Sequence, residues 1–214
     1  MPMMLETAAK FPPGVVRIVN ITSNAHENAP SCGIDFEDID QIQGGPVSRY
    51  GSSKLANILH TSELVKRYST PAARATNSSL PVENYEEGEI WAASVHPGMV
   101  KTYVPLCKIC FESVVINSYK RNLLSQANGS MSVRIMGTII GALSKTSLVG
   151  VAPERGAYTQ LFAVASDKFT RDMNGAYLIP IARVGKPSKK AEDTQLAKDL
   201  WEWTEKEMKR GGII

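Results

Sequence analysis

Residues 15–21 read Val15-Val16-Arg17-Ile18-Val19-Asn20-Ile21, or VVRIVNI, and run into Thr22-Ser23 and a polar stretch. Valine and isoleucine fill most of this short run, and it lies between Gly14 and hydroxyl residues. A β-branched segment of that length reads as a buried strand. Towards the N-terminus, residues 3–10 have a helical pattern that stops before Phe11-Pro12-Pro13-Gly14, where prolines and a glycine end a helix. Towards the C-terminus, a loop rich in Asn, Asp and Gly spans residues 23–46, and the pattern then predicts a helix over 48–67.

The alternation continues. Residues 70–88 (TPAARATNSSLPVENYEEG) have the composition of a surface insertion. Glu89–Val95 (EIWAASV) is a second strand, ending at His96-Pro97-Gly98. Residues 103–151 are mixed and helical in pieces. A helix over 153–166 follows, with Pro153 near its start; then come a third strand in 175–180 (GAYLIP) and a closing helix over 193–209. No internal repeat or second domain boundary interrupts residues 1–214, so a single domain is expected. Strands alternating with helices argue for an α/β parallel sheet with helices on both faces. Such sheets receive ligands at the carboxyl ends of their strands. Thr22-Ser23 and His96-Pro97-Gly98 stand at those ends.

Composition narrows the function classes. A chain of 214 residues, 43% of them hydrophobic, can bury a core. Its 24 basic and 21 acidic residues give a net charge of +3, too balanced to argue for nucleic acid. The three cysteines do not form a disulfide framework, which favours a reducing compartment inside the cell, cytoplasmic or at a membrane surface. MPMMLETAAKF lacks the basic start and apolar core of a secretory signal. Residues 133–151 (VRIMGTIIGALSKTSLVGV) are apolar but interrupted by Arg134, Lys145 and three glycines. That pattern suits a buried or lid-forming helix, with shallow membrane contact as the lesser reading, better than a transmembrane span.

Ser48-Arg49-Tyr50-Gly51-Ser52-Ser53-Lys54 opens the helix over 48–67. Tyr50 and Lys54 are then i and i+4 neighbours on one face. A free phenol titrates near 10 and is a poor acid or base at neutral pH. A nearby ammonium favours the phenolate, which makes such a pair suitable for proton transfer. Ser23, just past the end of a strand, is a plausible second hydroxyl to hold a substrate oxygen. His26 and His96 have no metal-ligand spacing and no nucleophile elbow around them, so both read as structural, and no metal site is expected. Cys107-Lys108-Ile109-Cys110 lacks a second pair and a thioredoxin context. Met3, Met4, Met131 and Met136 read as core or pocket filler.

The motifs RIVNITS, YGSSKLANIL and VHPGMVKT occur in that order. With them the chain resembles the short-chain dehydrogenase/reductase family, and within it the branch of retinol dehydrogenases and protochlorophyllide reductases. Asn20-Ile21-Thr22-Ser23 followed by Ala25-His26 is similar to that branch's signature. The resemblance implies the C-terminal part of a Rossmann-like, doubly wound parallel sheet. It implies Tyr50 as general acid/base and Ser23 as the residue that orients the substrate carbonyl. Lys54 would favour the Tyr50 phenolate and bond the nicotinamide ribose. Pro97, Gly98, Val100 and Thr102 would meet the nicotinamide. The implied cofactor is NAD(P), with NADP(H) favoured over NAD(H) because the branch mostly uses it. The implied substrate is a small alcohol, aldehyde or ketone, and the apolar content of residues 103–152, where the family places its substrate lid, makes it lipophilic. Homo-oligomers are compatible with the resemblance.

One family feature is missing. No G-x-x-x-G-x-G or G-x-G-x-x-G precedes residue 23, and neither the residue that selects NAD or NADP nor the Asn-Asn-Ala-Gly stretch is present. The expectation is therefore an N-terminally incomplete domain, with an open sheet edge beside residues 15–21 and weak or no dinucleotide binding. The alternative is a non-catalytic remnant, or an incomplete gene model, that at most binds a partner.

Overall fold

A computed structural model describes residues 2–41, 45–69, 89–100 and 151–213. The insertion expected at 70–88 and the lid expected at 103–152, apart from Val151 and Ala152, lie outside the described residues.

The strands are β1 (Val16–Ile21), β2 (Ile90–Val95), β3 (Tyr177–Ile179) and β4 (Arg183–Val184), and they lie side by side in that order. β1, β2 and β3 are parallel, and β4 returns antiparallel to β3. Val16 faces Ile90 across the first ladder and Ile21 faces Val95. The helices are α1 (Pro2–Ala8), α2 (Pro46–Tyr68), α3 (Pro153–Ala165) and α4 (Thr194–Arg210). The fold is thus the expected α/β, Rossmann-like one, with helices on both faces of a mainly parallel sheet.

Alternate residues of β2 serve opposite layers, as the two-residue strand period requires. Ile90 and Ala92 pack with Leu5 and Ala8 of α1 and with Leu64 and Tyr68 of α2. Trp91, Ala93 and Val95 pack on the other face with Ala163 of α3 and with Phe169. Leu55, Ile58 and Leu59 of α2 join Ala197 and Leu200 of α4 in a third cluster against Tyr177.

Local chemistry accounts for the helix ends. Pro46 and Pro153 occupy first-turn positions, where a missing N–H costs nothing. Asp193 caps α4 by accepting from Gln195 N and Leu196 N. Gly14 takes φ +83°, and a Cβ there would stand 2.5 Å from the Trp91 ring, so the turn into β1 admits only glycine.

Three readings need correction. β1 is not a fully buried strand: its first five residues are half-buried and Ile21 is exposed, because β1 is the outermost strand among the described residues. The loop over 23–46 contains a 3-10 turn at Asn24–Asn28, and the chain after β3 turns back as β4; both are too short for a periodic signal. Met3 is exposed while Met4 packs beside Leu5, so only one of that pair fills core. Met131 and Met136 lie outside the described residues. Among the described residues, no helix is long and apolar enough to cross a membrane.

Candidate active site

The carboxyl end of β1 gathers three of the residues singled out above. Thr22 continues the ladder through its N–H to Val95 O at 2.8 Å. Its buried hydroxyl donates to Lys54 O at 2.7 Å, which pins α2 to the strand end. Ser23 then leaves the sheet with extended backbone and caps the 3-10 turn, its Oγ accepting from Ala25 N at 3.2 Å. The Ser23 hydroxyl donates to Asn24 Oδ1 at 3.2 Å. Lys54 Nζ reaches back to Ile21 O at 3.3 Å and lies 5.5 Å from the centre of the Tyr50 ring. Tyr50 itself is 44% exposed, so its phenol opens to a ligand from solvent.

Two residues that drew no attention in the sequence hold this arrangement. Asn57 Nδ2 donates to the same Ile21 carbonyl at 2.8 Å, so that oxygen receives Lys54 and Asn57 together. Gly51 permits the contact that matters most. A Cβ there would stand 2.7 Å from Ala29 N, 2.8 Å from Asn28 C and 2.9 Å from Ala25 O, all backbone atoms. The 3-10 turn after Ser23 therefore lies directly on the backbone of α2, one residue after Tyr50. A glycine in the second turn of a helix costs about 1 kcal/mol relative to alanine. That local disadvantage was the available signal.

The next strand end supplies the other candidates. His96 N–H donates to Leu178 O at 2.8 Å, and its Nδ1 accepts from Gly98 N at 3.4 Å. Burial, with His26 nearby as the lesser cause, holds the His96 imidazole below its usual range. Gly98 takes φ +84°, and a Cβ there would come within 2.9 Å of Pro180 Cγ. Past this turn, Val100 bridges in parallel to Val151, and a Cβ on Gly156 would meet Val100 Cγ2 at 2.5 Å. Pro97, Gly98 and Val100 thus follow β2 at the same sheet end as Ser23. Thr102, with Cys107 and Cys110, lies outside the described residues.

This set can do proton chemistry beside a bound organic ligand. The Ser23 hydroxyl and the Lys54 ammonium follow one strand end, with the Tyr50 ring 5.5 Å from Nζ, and among the described residues Lys54 commits one of its three donors, to Ile21 O. An ammonium with donors to spare suits the hydroxyls of a polar ligand. Among the described residues, no group of three or more His, Cys, Asp or Glu could hold a metal ion.

A parallel α/β sheet with its polar side chains collected at the carboxyl strand ends defines a Rossmann-like ligand-binding protein. No family model matches the sequence. A short-chain dehydrogenase/reductase of Aspergillus calidoustus, drtF, is 36% identical over 201 residues, covering 94% of this chain and 52% of that relative. An uncharacterized oxidoreductase of Schizosaccharomyces pombe is 28% identical over 209 residues, covering 96% of this chain and 49% of its own length. The crystal structure of an uncharacterized protein from Mycobacterium Paratuberculosis aligns with 91% of this chain and 50% of its own, at 20% identity and a TM-score of 0.47. Over the residues it spans, the chain is similar to short-chain dehydrogenase/reductases. It spans about half the length of the curated relatives it matches.

Proposed function

We propose that this chain carries the proton-transfer side of the active site of an NAD(P)-dependent oxidoreductase that interconverts a hydroxyl and a carbonyl. The observation that supports the reading is that Lys54 Nζ stands at the carboxyl end of β1, bound to Ile21 O two residues before Ser23 and 5.5 Å from the Tyr50 ring. Ser23 orients the substrate carbonyl, and Tyr50 gives or takes the proton. Lys54 bonds the ribose. Pro97, Gly98, Val100 and Thr102 contact the nicotinamide, and the bound cofactor supplies the hydride. NADP(H) is favoured over NAD(H), and the substrate is a lipophilic alcohol, aldehyde or ketone, on the apolar content of residues 103–152.

The decisive substitution is Tyr50→Phe. General acid–base catalysis contributes about 10²–10⁴-fold, so turnover of retinaldehyde with NADPH falls by that factor. Tyr50 is an exposed residue whose hydroxyl bonds nothing among the described residues, so the melting temperature stays close to that of the parent protein. Unchanged turnover in Tyr50→Phe would remove the role given to this phenol.

A further inference from the structure

His26 is an enclosed polar side chain beside the site, at 1% exposure, and the proton transfer described above does not use it. Both of its ring nitrogens are engaged. Nδ1 lies 2.7 Å from Ser23 O, a carbonyl that can only accept, so Nδ1 carries the proton. Nε2 lies 3.0 Å from Ser188 N, a backbone N–H that can only donate, so Nε2 presents its lone pair. The ring also stands edge-on to Tyr177, with centroids 5.4 Å apart. The chain's three histidines differ in this respect. His60 Nδ1 faces Asn20 Nδ2 at 3.2 Å. The same Nδ2 donates to Thr61 Oγ1 at 2.9 Å, and the Thr61 hydroxyl donates to Asn57 O, which fixes the amide's orientation. His96 Nδ1 accepts from Gly98 N. His60 and His96 therefore carry their proton on Nε2, and His26 carries it on Nδ1.

The bond to Ser23 is double. His26 N–H also donates to the Ser23 carbonyl, at 3.1 Å, so one oxygen receives two donors from a single residue. The same turn rests on Gly51 of α2, and Ser23 Oγ is held within it by accepting from Ala25 N. Nε2 meanwhile ties the turn to a segment 162 residues away. We propose that His26 is a positioning residue whose Nδ1–H fixes the Ser23 carbonyl and so sets where the Ser23 Oγ stands at the head of the turn. The proposal rests on the role given to Ser23 under the proposed function.

Two variants separate the two ring nitrogens. In His26→Asn the amide N–H takes the place of Nδ1–H, so the Ser23 bond survives and the Ser188 bond is lost. In His26→Gln the amide oxygen takes the place of Nε2, so the Ser188 bond survives and the side-chain bond to Ser23 O is lost, leaving only the backbone N–H on that carbonyl. A merely structural role would affect the two alike. Long-range proton–nitrogen spectra of the imidazoles should show one Nδ1–H ring, and that ring should vanish in both variants. Hydrogen exchange in the peptide over residues 22–29 should run about tenfold faster in His26→Gln and stay near the parent rate in His26→Asn, the worth of about one hydrogen bond. With NADPH and retinaldehyde as the probe, kcat should fall in His26→Gln as it does in Ser23→Ala, with KM little changed, and recover in His26→Asn. An Nε2–H tautomer at His26, equal exchange in the two variants, or full turnover in His26→Gln would overturn the proposal. If Ser23→Ala itself keeps full turnover, the role of Ser23 fails, while the tautomer and exchange results still report on the clamp.

Discussion

β1 and β2 are both six residues long, parallel and paired in register from end to end, yet every residue of β2 is buried and none of β1 is. Their compositions run the other way. β1 (VRIVNI) holds four Val and Ile, whereas β2 (IWAASV) holds two alanines and a serine. Burial therefore follows from neighbours rather than from side-chain hydrophobicity. β2 has a strand on each side and a helical layer on each face; β1 has a strand on one side only among the described residues. The polar residues of β1 are then spent on anchoring it. Arg17 donates to Gly14 O at 2.6 Å, Ala163 O at 3.2 Å and Ser166 O at 2.8 Å, closing carbonyls at the end of α3 where a cation is favoured. Asn20, on the opposite face, bonds Thr61 and His60 of α2. The strand that delivers Ser23 is thus held by polar contacts to two helices, while the strand beside it is held by packing.

The sharpest way to break this contrast is a matched truncation. Ile90 is 1% exposed, so Ile90→Ala should cost about 2–5 kcal/mol in urea denaturation. Ile18, on the same face but half-buried, should cost about 1–2 kcal/mol when cut to alanine, since part of its surface already meets water. Equal losses would mean that β1 is as enclosed as β2 in solution. A smaller effect comes from Gly51→Ala. Helix propensity alone would make this change stabilising by about 1 kcal/mol. The three backbone atoms within 3 Å of the new Cβ should instead make it destabilising by about 1–3 kcal/mol. A more stable Gly51→Ala protein would show that the turn after Ser23 does not rest on α2.

The smallest expected effect concerns pH. Burial holds the His60 imidazole below its usual range, where it stacks on Trp201 at 5.4 Å and accepts from Asn20 of β1. The unfolded chain keeps an ordinary imidazole, titrating near 6.5. As pH falls below that value the unfolded chain binds the proton first, so the contribution is fully present above it and is lost on acidification. Thermal melts at pH 7.5 and 5.5 should show a fall in stability that is shallower in His60→Gln. A steeper fall in that variant would reverse the sign assigned to the β1–α2 contact.

Much of the site was legible in the sequence because its signals are local. The β-branched run at 15–21, the helix after Pro46 and the i, i+4 spacing of Tyr50 and Lys54 all arise from contacts between near neighbours in the chain. Chain order then placed Ser23 and Gly98 at carboxyl strand ends without reference to any particular partner. The roles of Gly51, Asn57 and His26 were not legible in the same way. A glycine in a helix shows its use only when another backbone lies 2.7 Å from the missing Cβ. A histidine shows its tautomer only when the atoms facing its two nitrogens are known, and one of those belongs to Ser188.

By itself, the sequence determined the alternation of strands and helices and the pairing of a phenol with an ammonium on one helix face. Both follow from the short repeat lengths of backbone geometry. Only the tertiary structure decided which strand lies outermost, which glycine admits a neighbouring backbone and which proton His26 carries. These depend on groups brought together from distant parts of the chain, and no local periodicity encodes which groups those are.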